Sequence, residues 1–377
     1  MPNVGKSTLF NAFTRSALAA ASNFPFCTID SQAATVPVPD ARLAALGARA
    51  GSARTVPWAL EVRDIAGLIA GASKGEGLGN AFLADIRGVH AILQVVRCFD
   101  DAGIVHVLDA PDPARDIAII ENELILADAQ SVEKRLPAAR KAAPRGAEPA
   151  ATLRLLEAAA RALDAGLPAR AAAPRGGFAD ARDAAAWDRL QLLTTKPMMF
   201  VLNVGEADAA PGAENALTRA ARAAIAERAA AQAGGGGGAA AYAVASVCAQ
   251  VEAELALLPD GAERSELLAA YGLPASGMDD LIALTARLLG LSNFYTQGPQ
   301  ESRSWVIPRG ATAVEAAGAI HGDMKDGFIK AEVIAYDAFM AAGSEAAARA
   351  AGAARSEGKD YIVVEGDVIV FKFKARG

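Results

Sequence analysis

Short apolar runs separated by helical patterns recur along the chain and predict a doubly wound α/β fold. The runs that carry this pattern are Ala91–Arg97, Met198–Leu202 and, more weakly, Ala241–Ala245. Near-continuous aliphatic runs are typical of strands that are buried on both faces of a parallel sheet. Helical patterns between the runs then predict a mostly parallel sheet covered by helices. The segment around Pro37 and Pro39 is expected to form an edge strand, because proline cannot donate to a sheet ladder.

Two amphipathic patterns interrupt this alternation between Asp112 and Pro197. Apolar residues with helical spacing define them, namely Ile117, Ile120 and Leu124 in the first and Leu153, Leu156 and Leu163 in the second. A turn rich in Pro, Arg and Gly joins the two patterns. They therefore predict an antiparallel helical hairpin, or coiled-coil arm, inserted into the sheet domain.

The last part of the chain, from about Asn293, has a different pattern of short strands around one helix. The predicted strands are Trp305–Ile307, Ala331–Ile334, Tyr361–Val364 and Val368–Phe373. This pattern is typical of a small β-grasp domain. The expected organisation is a nucleotide-binding domain over residues 1–112 and 191–292, a helical arm over 113–190 and a C-terminal domain over 293–377.

The composition of the chain indicates its cellular compartment more than its chemical activity. The 377 residues have a formal net charge of −6, which does not favour coating of nucleic acid, and no sequence-specific DNA binding is expected. Three widely spaced cysteines argue for a reducing compartment and against a disulfide framework or a zinc site. No stretch of about 18 apolar residues predicts a membrane span. We therefore expect a cytoplasmic protein, or an organellar one if an N-terminal address has been lost.

The first eight residues contain the second half of a P-loop. Gly5-Lys6-Ser7 is the end of the motif G-x-x-x-x-G-K-[ST], and the opening glycine and its strand would precede Met1. We interpret this start as a truncation. Backbone N–H groups from Asn3 to Thr8 would surround phosphates at a helix N-terminus. Lys6 would contact the β- and γ-phosphates, and the Ser7 hydroxyl would bind Mg²⁺.

Three later segments fit the switch regions of such a protein. Thr28 follows the first helix at a distance that suits a magnesium-binding switch threonine. Asp64-Ile65-Ala66-Gly67 ends a predicted strand, where the aspartate would hold magnesium through water and the glycine would let the backbone approach the γ-phosphate. The glycine-rich segment Gly71–Gly79 is predicted to be a mobile loop.

Asn203-Val204-Gly205-Glu206 follows a predicted strand where guanine-specific GTPases have N-K-x-D. In those proteins an aspartate accepts two hydrogen bonds from guanine. The longer Glu206 cannot reproduce this geometry without backbone movement, so we expect adenine to be accepted and guanine to lose its advantage. Asn203 would orient the loop, and the backbone of Val204 would lie beside the base.

Read in order, these motifs resemble the YchF/Obg-like ATPase family. The segments that carry the resemblance are Pro2–Thr8, Asn23–Thr28, Asp64–Gly67, Gly71–Gly77, Asn203–Glu206, Gly327–Asp337, Glu357–Val363 and Glu365–Val368. The resemblance implies a P-loop ATPase with an inserted coiled-coil arm and a C-terminal TGS domain. It also implies association with ribosomes and, for some members, with proteasome-related proteins.

The resemblance also implies a set of site residues. Nucleotide contacts are expected from Asn3, Val4, Gly5, Lys6, Ser7, Thr8, Asn203, Val204 and Glu206. Magnesium would bind Ser7 and Thr28, and catalysis would involve Lys6, Asp64 and Gly67. Leu68 stands where related enzymes have a water-orienting glutamine, so slow hydrolysis is expected. Asn3 raises the idea of a bound K⁺ that assists the reaction.

Two other functions remain open at this point. The chain would be a nucleotide-independent scaffold if the truncated P-loop binds nothing. It would be a conventional GTPase if the base loop tolerated guanine, which Val204 and Glu206 oppose. Titration with ATP and GTP separates these possibilities.

Overall fold

The computed structural model describes residues 1–21, 29–30, 32–65, 78–106, 108, 110–174, 177–232, 242–259 and 261–374. Within those residues, no helix is both long enough and apolar enough to cross a membrane. The chain divides into two compact units. The first contains Met1–Ala12 and Arg63–Gly277, and the second contains Phe13–Val62 and Met278–Gly377. The domain boundaries expected from the sequence stay a prediction.

The elements follow one another along the chain in a mixed order. The strands are β1 (Ile29–Asp30), β2 (Ala33–Pro37), β3 (Thr55–Val56), β4 (Ala59–Arg63), β5 (Ile92–Cys98), β6 (Met198–Val204), β7 (Ala243–Val247), β8 (Leu291–Thr296), β9 (Ser302–Pro308), β10 (Phe328–Ile334), β11 (Arg355–Glu357) and β12 (Val368–Phe373). The helices are α1 (Lys6–Ala21), α2 (Ala41–Ala50), α3 (Leu78–Arg87), α4 (Pro113–Ala142), α5 (Ala147–Asp164), α6 (Ala181–Asp188), α7 (Ala216–Gln232), α8 (Ala249–Leu255), α9 (Ala262–Ala270), α10 (Gly277–Leu288), α11 (Ala313–Ile320), α12 (Gly322–Asp326), α13 (Tyr336–Ala342) and α14 (Glu345–Ala350).

A parallel sheet with the order β5-β6-β7 lies at the centre of the first unit. Every residue of β6 is buried, as expected for a strand with a neighbour on each side and helices above it. Helices α4 and α7 pack against β5. The predicted parallel sheet is therefore confirmed, and the carboxyl ends of β5, β6 and β7 lie at one edge of it.

Helices α4 and α5 form the predicted helical arm. A short 3₁₀ turn over Ala143–Arg145 joins them, and their apolar faces share a core that includes Val132, Leu156 and Leu163. Asp112 caps α4 by accepting from the backbone N–H of Arg115 at 3.1 Å. The predicted apolar residues Leu156 and Leu163 thus lie in the core shared by the two helices, whereas those of α4 (Ile117, Ile120 and Leu124) pack in the core of the parallel sheet.

A six-stranded sheet with the order β11-β10-β12-β8-β9-β3 lies in the second unit. Two expectations for this region are wrong. Four short helices, α11 to α14, accompany the strands of this part of the chain instead of one. Residues 361–364 form no regular strand, because they make only an isolated antiparallel bridge between Ile362 and Thr312. The Asp367 carboxylate accepts from the Val364 N–H at 3.0 Å and from the Tyr361 hydroxyl at 2.8 Å, where the chain turns after this bridge.

The expectation of an edge strand near Pro37 is also wrong within the described residues. Strand β2 lies between β1 and β4 in a three-stranded sheet. Pro37 is the last residue of β2, and Pro39 lies beyond the strand. Neither proline therefore removes a donor from the interior of the ladder.

Candidate nucleotide-binding site

The P-loop segment turns into helix α1 at Gly5. Gly5 has a φ of +92°, which L-residues with a side chain rarely adopt, and its carbonyl accepts from the Leu9 N–H at 2.9 Å to start the helix. The first N–H groups of a helix have no intrahelical partner. Here they belong to Lys6, Ser7 and Thr8, so a cluster of donors faces the position expected for phosphates.

Lys6 brings a positive charge to this cluster. Its Nζ donates to the backbone carbonyl of Met1 at 3.0 Å. The pKa of Lys6 is lowered from its ordinary value, chiefly by burial, while the negative charge of Asp64 opposes the shift. A partly buried ammonium close to free helix N–H groups forms a strong anion-binding arrangement.

Ser7 and Asp64 meet although 57 positions separate them in the sequence. The Ser7 hydroxyl donates to Asp64 Oδ2 at 2.9 Å, and Asp64 directly follows β4. No cluster of three His, Cys, Asp or Glu side chains that could hold a metal occurs among the described residues. A hydroxyl and one carboxylate fit Mg²⁺ well, because this ion takes few protein ligands and completes its shell with phosphate oxygens and water.

Asn203, near the end of β6, ties the phosphate loop to the start of helix α8. Its Nδ2 donates to the Val4 carbonyl at 3.0 Å, and its Oδ1 accepts from the Ala249 N–H at 2.9 Å. The side chain is buried. A Cβ at Gly5 would lie 2.1 Å from Asn203 Nδ2, so glycine is required there by both conformation and space. Asn203 therefore orients the loop through backbone groups, as its position after the predicted strand Met198–Leu202 suggested.

The rest of the base loop is more open. Val204 is buried at the end of β6, whereas Glu206 is exposed in a single 3₁₀ turn. The Tyr271 hydroxyl donates to Glu206 Oε2 at 3.4 Å. The nearby Asp208 accepts from the side chain of Asn215 at 2.7 Å. The two carboxylates of this turn therefore differ: Asn215 holds Asp208 by a short bond, whereas Glu206 is contacted by Tyr271 at a longer distance.

A buried arginine next to the site was missed in the sequence. Arg97 is 1% exposed, and its guanidinium donates to the carbonyls of Phe99, Asp101 and Ile104 at 3.2, 3.2 and 2.9 Å. The loop that it fixes reaches the P-loop, where Asn3 Nδ2 donates to the Val105 carbonyl at 3.1 Å. The signal for this role was a charged residue inside an otherwise apolar strand.

Buried groups also fix the end of this loop. The His106 Nδ1 accepts from the Leu108 N–H at 3.1 Å, and its Nε2 lies 2.9 Å from Asp116 Oδ2. This pattern assigns the ring hydrogen to Nε2 in the neutral tautomer. Asn3 itself has a φ of +56°, so the loop and the phosphate segment meet through a strained residue.

The structure brings together most of the residues expected at the site. Ser7 is bonded to Asp64, and Asn203 is bonded to Val4 and lies against Gly5. Thr8 lies in the first turn of α1. Thr28, Gly67 and Leu68, and the greater part of the predicted switch loop, lie outside the described residues. Their roles stay predictions.

Comparison with known protein families gives two matches at opposite ends of the chain. Residues 1–133 match the family described as "50S ribosome-binding GTPase". Residues 291–374 match a family of YchF GTPase C-terminal domains that is described as a "Protein of unknown function (DUF933)". The two matches cover the P-loop region and the C-terminal sheet.

Individual relatives match over nearly the whole chain. The "Ribosome-binding ATPase YchF" of Bacillus subtilis is 44% identical over 99% of this chain and 97% of its own length. The "Obg-like ATPase 1" of Rattus norvegicus is 37% identical over 99% of this chain and 90% of its own length. The structure of the YchF GTPase of Schizosaccharomyces pombe matches with a TM-score of 0.82 and 36% identity, over 99% of this chain and 96% of that one. On its motifs, its fold and these relatives, the chain belongs to the YchF/Obg-like ATPase family.

Proposed function

We propose that this chain is a ribosome-associated switch that binds ATP with Mg²⁺, prefers ATP to GTP and hydrolyses it slowly. The Asn203 bridge carries the proposal. Asn203 begins the loop that would hold the base, and it donates to the Val4 carbonyl of the loop that would hold phosphates at 3.0 Å. Its Oδ1 accepts from the Ala249 N–H at the start of α8 at 2.9 Å. A nucleotide needs both loops at once, and a scaffold without nucleotide would not need a buried link between them.

The phosphate end supplies charge and fixed donors for the reaction. Lys6 and the N–H groups of the first turn of α1 would stabilise negative charge as it develops on the γ-phosphate. They would need little reorganisation, because the backbone already fixes them. Ser7 and Asp64 would hold Mg²⁺, and the ion would neutralise charge on the phosphate oxygens. Slow turnover is expected because Leu68 cannot orient the attacking water.

The base end supports a preference for adenine. A guanine-specific loop needs a carboxylate that accepts two hydrogen bonds in a fixed geometry. Glu206 is one methylene longer than the aspartate of such loops, and it is exposed in its 3₁₀ turn. The conventional GTPase remains the second candidate, since one of the matching families is described as a GTPase.

Ribosome association is part of the proposal through the relatives. The printed name of the Bacillus subtilis relative describes a ribosome-binding ATPase, and the family matching residues 1–133 is described as ribosome-binding. A ribosome-bound activity implies the cytoplasm. A requirement for K⁺ near Asn3 belongs to the same proposal and predicts faster turnover in K⁺ than in Na⁺.

Titration with fluorescent ATP and GTP analogues in the presence of Mg²⁺ tests the nucleotide preference. Tighter binding of ATP is expected, and equal or tighter binding of GTP would replace the ATPase with the GTPase. Cosedimentation with ribosomes, with and without ATP, tests the partner. Retained sedimentation without any nucleotide binding would support the scaffold instead.

The variant Lys6→Ala tests the catalytic role of the P-loop. Loss of one preorganised charge at the phosphates is expected to reduce ATP turnover by at least about a hundredfold. Lys134→Ala, on an exposed position of α4, is the matched control and should keep full turnover. Equal turnover in both variants would exclude this P-loop as the hydrolytic site.

A further inference from the structure

Tyr271 lies at a helix end that is fixed by its own backbone. It follows α9, and its N–H donates to the Leu267 carbonyl at 3.2 Å. The next residue, Gly272, has a φ of +66°, and the Leu273 N–H donates to the Leu268 carbonyl at 2.9 Å. This ending is typical of a helix closed by a left-handed glycine. The backbone therefore leaves Tyr271 little freedom.

The same helix end contacts the base loop. A Cβ at Gly272 would lie 3.7 Å from the Cβ of Ala210, a few residues after Glu206. The Tyr271 hydroxyl donates to Glu206 Oε2 at 3.4 Å. The pKa of Tyr271 is raised, first by partial removal from water and then by the charges of Glu206 and Glu254. The phenol is thus protonated near neutral pH and is a donor to the carboxylate.

We propose that Tyr271 is a specificity-determining residue that acts by positioning the Glu206 carboxylate for the nucleotide base. Guanine recognition by a carboxylate needs both oxygens in the plane of the base, for the N1–H and the 2-amino group. A phenol that holds Oε2 turns the carboxylate away from that arrangement. Adenine presents one amino group and no N1–H, so its binding affinity depends little on this orientation of the carboxylate.

The neighbouring carboxylate does not compete for this role. Asp208 is held by Asn215 at 2.7 Å, and the same Asn215 amide also donates to the Cys98 carbonyl at 2.9 Å. Asp208 therefore serves to close the turn. Of the two carboxylates in this turn, Glu206 is the one that Tyr271 positions. The inference rests on the proposed function, because it concerns how the same site distinguishes ATP from GTP.

The test compares affinities for ATP and GTP analogues in the full chain and in Tyr271→Phe. Removal of the hydroxyl is expected to lower the preference for ATP by about fivefold, the size of one ordinary hydrogen bond in an exposed setting. Tyr361→Phe, which removes a hydroxyl bonded to Asp367 in the second unit, is the matched control and should leave the preference unchanged. The single variant Glu206→Gln and the double variant Tyr271→Phe with Glu206→Gln complete a double-mutant cycle.

The outcomes separate the two proposals. A native chain that prefers ATP, with a smaller preference in Tyr271→Phe and no further effect of the same change in the Glu206→Gln background, supports the inference. An unchanged preference in Tyr271→Phe overturns it. Equal loss of both nucleotides in Tyr271→Ala, with no effect in Tyr271→Phe, would indicate a ring contact and overturn it as well. A native chain that binds neither nucleotide overturns the proposed function.

Discussion

The two ends of the candidate site are built on different principles. At the phosphate end, the buried Asn203 side chain bonds to backbone groups of the buried Val4 and of Ala249, and it lies against Gly5. At the base end, Glu206 is an exposed side chain on a single turn, held by one hydroxyl at 3.4 Å. Buried polar groups are costly to leave unpaired, whereas exposed groups exchange partners with water.

This contrast separates two kinds of function within one site. Phosphates are common to all nucleoside triphosphates, so the part that binds them gains from rigidity. Selection of a base is a difference between two affinities. A single adjustable carboxylate and its donor can therefore change it without disturbing the fold. Changes at the phosphate end should reduce stability, and changes at the base end should alter selectivity.

The largest effect on stability is expected from Gly5→Ala. The new Cβ would lie 2.1 Å from Asn203 Nδ2, at a φ of +92°. Backbone strain and overpacking together should lower the free energy of unfolding by about 3 kcal/mol. Urea unfolding measures this. Gly212→Ala shares a φ of +81° but has no atom within 4 Å, so it reports the strain alone, and equal losses would refute the steric part.

A smaller effect is expected from Asn203→Ala. The change leaves the Val4 carbonyl and the Ala249 N–H without their side-chain partner, and the free energy of unfolding should fall by about 2 kcal/mol. Asn203→Asp keeps an acceptor for Ala249 but sets an oxygen against the Val4 carbonyl. It should therefore retain only part of the stability. Native stability in both variants would mean that the bridge does not hold the two loops together.

The smallest effect on stability is expected from Glu206→Ala. Exposed side chains away from special features change the free energy of unfolding by no more than about 0.5 kcal/mol. Urea unfolding should therefore give almost the native value, while the ratio of ATP to GTP affinity changes. A loss as large as that of Asn203→Ala would erase the contrast between the two ends.

Local sequence patterns were sufficient for the parallel sheet and the arm. The apolar run Met198–Leu202 lies within the fully buried β6, and the helical spacing of Ile117, Ile120 and Leu124 lies on α4. Patterns of this kind report burial, which is local in sequence. They failed for residues 361–364, where an apolar segment makes one isolated bridge, between Ile362 and Thr312, and no regular strand.

Motif spacing identified most of the phosphate end but little of its support. Lys6, Ser7 and Asp64 were expected from short motifs, and the structure brings them together. Arg97 and Tyr271 were not expected at the site, because their partners are backbone carbonyls or a side chain many positions away. Arg97 did offer one local signal, a charge inside an otherwise apolar strand, whereas the contact of Tyr271 depends on tertiary folding and has no local signal.

The contact between Gly5 and Asn203 also has a consequence for sequence variation. A Cβ at position 5 would collide with the amide of Asn203, so the cost of a change at one position depends on the residue at the other. Effects at two positions in direct contact are not additive. A smaller residue at 203 would have to arise before position 5 could vary, and it would already have broken the bridge. Neither order of substitution offers an easy path, and the pair should vary together or remain fixed.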